Sequence, residues 1–199
     1  GLRALVGLGD GALLVANSLI LTEETAKAEL TLGVPIEWDA PGDIVSLRPL
    51  GGQVTYLSDV DERRYRHVPY LDLAWPFHKD RNVLGGRLRA GGRLFHKGLG
   101  MHSSARLTYR LDGPYRRFEA ELAIDDAAGR QGSVIFRLFT TDGKTWQEAF
   151  TSPIVRGGTE PLPMSVDLQG TQAIALVVDF ADRSDQQDHA DWLSARLIK

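Results

Sequence analysis

Apolar and polar residues alternate with a period of two through most of the chain, a pattern typical of half-buried β-strands. The clearest examples lie in the second half, where turn signals such as Asp112-Gly113 and Asp142-Gly143 separate them. We predict strands over residues 105–111, 117–124, 133–140, 145–150, 164–168, 173–180 and 192–198. Strands at this spacing, without a convincing helix, predict an all-β fold of the β-sandwich or jelly-roll type.

Residues 1–52 predict a separate small β unit. Strand-like apolar runs occur at 4–8, 12–21, 28–32, 35–38 and 44–47. The segment 22–27 holds helix-forming residues, but a helix of that length is marginal. The unit is small for a core of its own and the chain opens inside a strand, so we expect it to be truncated at its N-terminus and to belong to a larger protein. The pair Gly51-Gly52 marks the predicted boundary with a second domain, 53–199.

The segment 60–92 is long, shows no regular pattern and is rich in arginine, glycine and aromatic residues. A loop of this length inside a compact domain is usually functional or held by other parts of the fold. Its most basic stretch is Arg63-Arg64-Tyr65-Arg66, which predicts a solvated loop, with recognition of an anion as the alternative.

The direction of the strands predicts where the chemically interesting residues meet. Consecutive strands of a sandwich usually run antiparallel, so their connections alternate between the two ends of the domain. If the turn at Asp112-Gly113 is at one end, the residues entering strand 105–111 and the loops after 117–124 and 173–180 are at the other. We expect that end to hold His102, Asp125, Asp126, Asp185, Asp188 and His189.

Such a cluster suits a sugar, which needs a flat apolar surface for its C–H face and polar groups for its hydroxyls. The predicted carbohydrate-binding residues are Trp75, His102, Asp188, His189 and Trp192. Structural alternatives exist for three of them: a core position for Trp192, a packed imidazole for His102, and orientation of a carboxylate by His189. A hard cation such as calcium is the other use of carboxylates at this end, because it takes six to eight oxygen ligands. For Asp125 and Asp126 the alternative is a structural role, in which they end a strand and accept from turn amides.

Composition narrows the function classes. The net charge of -3 argues against a general nucleic-acid binder. The absence of cysteine excludes disulfides and thiolate zinc sites. The apolar run 12–16 is too short to cross a bilayer, and no signal-peptide pattern is present. The compartment stays open, with an extracytoplasmic location (periplasmic or secreted) favoured.

Enzyme motifs are weak. The glycine pairs at 85–86 and 91–92 precede no helix, so they do not form a phosphate loop. Ser103-Ser104 beside His102 lacks a nucleophile elbow. Asp125 and Asp188 could act as the two carboxylates of a glycosidase, but acidic residues in loops are common. We therefore expect a binding module and no catalytic residues.

The second domain resembles the NPCBM (novel putative carbohydrate-binding module) family, which is related to carbohydrate-binding module family 51. The matching segments run in order through 53–199: Tyr56-Leu57-Ser58-Asp59, Lys79-Asp80-Arg81, Lys97-Gly98-Leu99-Gly100-Met101-His102, Leu111-Asp112-Gly113-Pro114-Tyr115, Ile124-Asp125-Asp126, Gly132-Ser133-Val134 and Asp188-His189-Ala190-Asp191-Trp192. Together they are specific, although each alone would be weak. The basic segment 60–78 departs from the family's commoner Gly- and Asn-rich version, which puts the ligand class in doubt.

The resemblance implies a galactose-binding-like jelly roll that binds glycans without catalysis, often with calcium, and often attached to bacterial glycoside hydrolases. The expected calcium ligands are Asp80, Asp125, Asp126 and Asp185. We therefore expect a glycan or polysaccharide partner, with galactose-type sugars as the candidates, and neither nucleic-acid binding nor membrane insertion. The alternative is a protein-interaction or adhesion module that has the same fold but binds no sugar, which the basic segment 60–78 favours.

Overall fold

The computed structural model describes residues 3–22, 24–38, 41–50, 54–69, 73–182 and 184–199. It divides the chain into two compact units, Gly1–Val54 and Thr55–Lys199. The predicted boundary at Gly51-Gly52 lies outside the described residues.

The first unit is one antiparallel sheet with the strand order β4-β3-β2-β1-β5. Its strands are β1 (Arg3–Leu8), β2 (Leu13–Leu21), β3 (Ala26–Leu30), β4 (Pro35–Trp38) and β5 (Ile44–Leu50). The small side chains of Val6, Ala16 and Ala28 form its buried cluster. The helix considered for 22–27 is absent from the residues described there, because β3 already begins at Ala26 and pairs with β2.

The second unit contains two antiparallel sheets. The front sheet has the order β17-β13-β19-β11-β8, with β6 also paired to β19, and the back sheet has the order β15-β14-β18-β12-β7, with β16 also paired to β14. The front-sheet strands are β6 (Val54–Tyr56), β8 (His78–Lys79), β11 (Gly98–His102), β13 (Arg117–Ile124), β17 (Leu162–Asp167) and β19 (His189–Ile198). The back-sheet strands are β7 (Arg64–His67), β12 (Ala105–Arg110), β14 (Ser133–Thr141), β15 (Trp146–Thr151), β16 (Val155–Arg156) and β18 (Ala173–Phe180). A separate hairpin pairs β9 (Leu88–Ala90) with β10 (Arg93–Phe95).

A single apolar core joins the two sheets, and this confirms the predicted β-sandwich. Trp192 of β19 lies in this core, where it packs against Phe118 at 6.2 Å and edge-on against Phe136 at 5.1 Å between ring centroids. Its side chain is 0% exposed, so the assignment of Trp192 to the sugar site is wrong. The indole supplies buried apolar area to the sandwich instead.

The front sheet is covered on its second face as well. Leu88, Ala90 and Phe95 of the β9–β10 hairpin form a further buried cluster with Ala123 and Leu193 of the sheet. The backbone of Arg81 and Asn82 also lies directly over Gly100 of β11. A strand buried on both faces loses the alternating pattern that marks its inward side.

The segment 60–92 contains three of the strands and is not irregular throughout, which corrects the sequence prediction. Its basic stretch lies mainly in β7, an edge strand of the back sheet that pairs with β12. Arg64 and Arg66 are exposed while Tyr65 and His67 are partly buried, so the side chains of β7 alternate between two faces. No helix among the described residues has both the length and the apolar character needed to cross a membrane.

Candidate functional site

Two histidines meet at one end of the front sheet. His102 is the last residue of β11 and His189 is the first residue of β19, and the two are direct partners across the antiparallel strands. Their ring centroids are 6.0 Å apart and both side chains are largely buried. The antiparallel pairing therefore brings together residues that are far apart along the chain, as the argument from strand direction expects.

Trp75 covers this pair. Its indole lies parallel to the imidazole of His102, with 4.9 Å between ring centroids and 5° between planes, and 6.0 Å from the ring of His189. Stacked aromatic rings at this separation attract each other beyond their burial of area. One face of the indole is thus occupied by His102, so a ligand can use only the other face or the edge.

Two residues of β7 fix the position of Trp75. The hydroxyl of Tyr65 donates to the carbonyl of Trp75 at 2.8 Å, and the amide of Trp75 donates to Nδ1 of His67 at 3.2 Å. Because Nδ1 of His67 accepts, its Nε2 carries the proton and donates to the carbonyl of Ser103 at 3.1 Å. The aromatic residue is therefore held by the fold before any ligand arrives.

A cavity of about 530 Å³ opens beside these rings. Its walls are formed by Leu73, Trp75, Leu84, His102, Ala127, Asp185, Gln187 and His189. Leu73 and Leu84 are 64% and 54% exposed, so apolar side chains lie at the surface near the polar groups. An apolar surface with a few convergent polar groups is the usual form of a small-ligand site.

The imidazoles of the site are neutral at neutral pH. Burial lowers the pKa of His102, and together with the smaller effect of the neighbouring rings of His189 and His67 it brings the pKa to about 4. Burial also lowers the pKa of His189 and of His67. A neutral imidazole has one nitrogen that donates and one that accepts, a combination that suits hydroxyl groups.

Asp188 lies behind the cavity and not in its wall, which corrects its assignment as a direct sugar contact. Its side chain is 0% exposed, and one carboxylate oxygen accepts from the amide of Ser133 at 2.8 Å. Burial raises the pKa of Asp188 to about 6. Asp185, one of the calcium ligands that the sequence predicts, lies in the cavity wall instead.

Asp125 and Asp126 hold the loop that covers the front sheet. Asp125 accepts from the side-chain amide of Asn82 and from the backbone amide of Arg89, both at 3.0 Å. Each oxygen of Asp126 accepts from one backbone amide of the Gly91-Gly92 turn at 3.0 Å. Both carboxylates therefore serve as acceptors for backbone and side-chain donors that would otherwise lack partners.

Asp80 is also engaged elsewhere: its oxygens accept from the ammonium group of Lys97 at 2.8 Å and from the amide of Gly98 at 3.1 Å. Within the described residues, no group of three or more histidine, aspartate or glutamate side chains is arranged to hold a metal ion. The structure therefore does not bring Asp80, Asp125, Asp126 and Asp185 together as one group of ligands. Calcium stays a prediction from the family resemblance, without a ligand set of its own.

Asp191 is a buried acid that the sequence prediction did not single out. It lies in the middle of the front sheet, and burial together with the charge of Asp125 raises its pKa well above the ordinary value. Both causes favour the protonated form of this acid over its carboxylate. Its role is in the interior of the domain, since it does not line the cavity.

Sequence reasoning also missed five residues at the site: His67, Leu73, Leu84, Ala127 and Gln187. The alternation of Arg64, Tyr65, Arg66 and His67 was a strand signal that would have placed the imidazole of His67 on the side of Tyr65. Leu73 and Leu84 carry no such signal, because irregular segments present them.

Comparison with known proteins decides the family. The NPCBM/NEW2 domain matches residues 53–198, which is most of the chain. The chain belongs to the NPCBM/NEW2 family. This confirms the resemblance seen in the sequence, and an NPCBM domain is a carbohydrate-binding module, so the chain contains a glycan-binding module.

Similar proteins place such modules in larger chains. A putative endo-alpha-N-acetylgalactosaminidase of Renibacterium salmoninarum is 28% identical over 114 residues, covering 57% of this chain and 7% of that protein. This NPCBM chain thus spans a small part of that relative.

Solved structures share the fold. The CBM51-2 and INT domains of Clostridium perfringens ZmpB, in complex with GlcNAc, match with a TM-score of 0.64 and 25% identity over 92% of this chain and 40% of that one. The CBM51 of Clostridium perfringens GH95, in complex with methyl-galactose, matches with a TM-score of 0.62 and 23% identity over 72% of this chain and 99% of that one. The NPCBM domain therefore has the galactose-binding-like β-sandwich that the sequence predicts.

Proposed function

We propose that the cavity beside Trp75, His102 and His189 binds a terminal galactose-type sugar, and that the module performs no catalysis. The observation that carries the proposal is a fixed indole stacked on one neutral imidazole and lying close to a second, at the wall of an open cavity. The indole offers an apolar surface, and the neutral imidazoles both donate and accept hydrogen bonds to sugar hydroxyls.

The preference for a galactose-type sugar follows from the shape of the ring. An axial 4-hydroxyl leaves one face of the pyranose with its C–H bonds grouped together, and this face packs well on an indole. The name of the relative from Renibacterium salmoninarum, an N-acetylgalactosaminidase, supports a sugar with the same axial hydroxyl. Asp185 and Gln187 lie in the cavity wall and are candidates to bind the remaining hydroxyls.

The proposal of a non-catalytic role has a physical basis in the cavity. Glycoside hydrolysis generally needs two carboxyl groups on either side of the scissile bond. Among the described residues lining this cavity, Asp185 is the one carboxylate. The pair considered from the sequence, Asp125 and Asp188, is buried and bound to other parts of the fold.

Calorimetric titration with methyl-galactoside, N-acetylgalactosamine and N-acetylglucosamine tests the sugar site. We expect dissociation constants on the order of 0.1 to 1 mM for the first two, because exposed hydroxyls exchange one set of hydrogen bonds for another. Trp75→Ala should abolish binding, whereas Trp146→Ala, which changes an indole outside the cavity, should leave it intact. Equal affinity for N-acetylglucosamine would reject the preference for the axial hydroxyl.

A second candidate function is protein interaction without sugar binding, and the exposure of Leu73 and Leu84 beside the cavity favours it. Exposed leucines next to each other suit a protein surface as well as a larger glycan. The same titration separates the two functions. No heat and no chemical-shift change at several millimolar of any of the three sugars would support the interaction module and reject the sugar site.

Calcium is tested apart from the sugar. A metal that binds only the folded state raises the melting temperature, and the stabilisation grows with the logarithm of its concentration relative to its dissociation constant. An increase in melting temperature with Ca²⁺ that a chelator reverses would support the calcium prediction. An unchanged melting curve would reject it.

A further inference from the structure

The outer face of the back sheet carries a row of arginines. Arg66 of β7 is the direct cross-strand partner of Arg106 of β12, and Arg106 is in turn the partner of Val177 of β18. Val177 is paired with Arg137 of β14, so three arginines lie in one row across four neighbouring strands. Neighbouring strands are about 4.8 Å apart, so the row spans about 15 Å.

The arginines of this row differ in their ion pairs. Arg137 is neutralised by Glu148 and Asp179, each at 2.8 Å. Arg66 and Arg106 are exposed, and neither forms an ion pair with a carboxylate of the described residues. Arg64, the first residue of β7, and Arg63 directly before it are also exposed and form no ion pair with a carboxylate of the described residues. Four guanidinium groups therefore gather on one surface without an ion pair to any carboxylate of the described residues.

Trp146 lies among these groups. The guanidinium carbon of Arg106 is 5.0 Å from the centre of the Trp146 ring, and the indole is 43% exposed. The exposed part of the ring is an apolar surface next to guanidinium groups that form no ion pair within the described residues. An exposed aromatic ring beside arginines is a common means of binding a ligand that is flat on one side and anionic on another.

Two adjoining depressions follow the row. One, of about 560 Å³, is lined by Arg66, Arg106 and Arg137 among others, and the second, of about 420 Å³, by Arg63, Arg64, Arg66, Arg106 and Trp146. They share Arg66 and Arg106, so the surface is one long depression across the sheet. This shape fits a chain of several sugar units better than a single sugar.

Like charges placed directly opposite each other on adjacent strands destabilise a sheet. Arg66 opposite Arg106 is such a pair, in a protein whose net charge is -3. The positive charge is thus local to this surface and is not part of a general basic character. An anionic ligand would remove the repulsion, because a guanidinium binds sulfate or carboxylate groups through two parallel hydrogen bonds.

We propose that this arginine face is a second binding site, and that it takes an anionic polysaccharide carrying sulfate or carboxylate groups. The arginines bind the anionic groups and Trp146 packs against a sugar ring of the same chain. The site is separate from the cavity beside Trp75, so the inference goes beyond the proposed function and does not depend on it.

The test measures binding of the whole chain to dextran sulfate, to polygalacturonate and to uncharged dextran, at low salt and at high salt. Binding to either charged polymer but not to dextran is expected, and the stronger of the two identifies sulfate or carboxylate as the group that is bound. Binding should weaken with added salt, since salt screens exposed charges. Absence of binding to both charged polymers would overturn the proposal.

Two double variants that remove the same number of positive charges distinguish binding at this face from a general effect of positive charge. The double variant Arg66→Gln with Arg106→Gln should weaken binding by about tenfold or more, because it removes two bidentate partners. The matched control is Arg87→Gln with Arg89→Gln, two exposed arginines outside both depressions, which should change binding less than about twofold. Equal weakening by the two doubles would overturn the site.

Further variants and ligands complete the test. Trp146→Ala alone should also weaken polymer binding, and it keeps every arginine, so it remains informative if a double variant folds poorly. Trp75→Ala should leave polymer binding unchanged, and methyl-galactoside should not displace the polymer. Tighter binding of a single-stranded oligonucleotide than of either polymer would reject a polysaccharide in favour of nucleic acid, because bases also stack on aromatic rings beside arginines.

Discussion

The indole of Trp75 and the imidazole of His102 lie parallel, 4.9 Å apart between centroids. The two residues come from different segments, one irregular and one a strand of the front sheet. Their contact means that the aromatic surface of the candidate site depends on the irregular segment being held in place, which the hydrogen bonds from Tyr65 and His67 achieve. Predictions about the site can therefore be tested at residues that do not touch the ligand.

Tyr65→Phe removes the hydroxyl that donates to the carbonyl of Trp75. We expect affinity for the galactose-type sugar to fall by about threefold to tenfold, because a typical hydrogen bond contributes about 1 kcal/mol and Trp75 loses one of its two anchors. Titration calorimetry measures the change. Tyr115→Phe, a partly buried tyrosine in another loop, is the matched control, and an equal loss of affinity in that variant would contradict the anchoring role.

The low pKa of His102, about 4, predicts that its ring stays neutral at pH values where a free histidine is protonated. Its chemical shifts, followed by NMR, should stay constant from about pH 8 to pH 5 and move only near pH 4. The unfolded state binds the proton of His102 more tightly than the folded state does. The contribution of the neutral ring to folding stability is therefore complete above pH 6.5 and is lost as the pH falls towards 4. A titration midpoint near 6.5 would contradict the buried, neutral ring.

Asp188→Asn tests a pH dependence of folding stability that has the opposite sign. The pKa of Asp188 is raised from 3.8 to about 6, so the folded state holds the proton more tightly than the unfolded state does. Its contribution to stability is complete below pH 3.8 and is lost as the pH rises through 6, an effect on the order of 3 kcal/mol. Urea unfolding of both proteins at pH 4 and pH 7 should show the variant gaining stability relative to the parent as the pH rises. An unchanged difference would reject the shift.

Gly100→Ala should destabilise the second unit by about 3 kcal/mol or prevent its folding, because the overlying backbone would have to shift to admit a Cβ. An added Cβ would lie 2.5 Å from the carbonyl carbon of Asn82 and against the carbonyl oxygen of Arg81. Gly113→Ala is the control, since its nearest neighbour would be the ring of Tyr115 at 3.6 Å. Thermal unfolding measures both, and equal melting temperatures for the two variants would contradict the close packing.

The sequence was sufficient to predict the sandwich and the convergence of His102 and His189. Strands that alternate in polarity pair in one register, and antiparallel pairing then determines which loops share an end. His102 and His189 are direct partners for this reason. The family segments added the glycan-binding class, which periodicity alone does not reveal.

Other parts could not be predicted because they depend on contacts between distant segments. Trp192 could not be assigned to the core from alternation, since the β9–β10 hairpin covers the second face of the front sheet and most of β19 is buried. The sequence leaves a ligand role and a structural role open for Asp125 and Asp126, and the amides of Arg89 and of the Gly91-Gly92 turn that bind them come from a distant segment. A carboxylate has the same appearance in a sequence whether it binds a metal or a backbone amide.

Strand β7 supplies both candidate surfaces from four residues: Tyr65 and His67 anchor the indole at the cavity, and Arg64 and Arg66 point to the exposed face of the back sheet. A single inserted or deleted residue in this strand would exchange the two sets, turning the guanidinium groups inward and the ring anchors towards solvent. The two surfaces bind different ligands, but both depend on the register of this one short edge strand. Insertions or deletions in β7 should therefore be tolerated far less than substitutions.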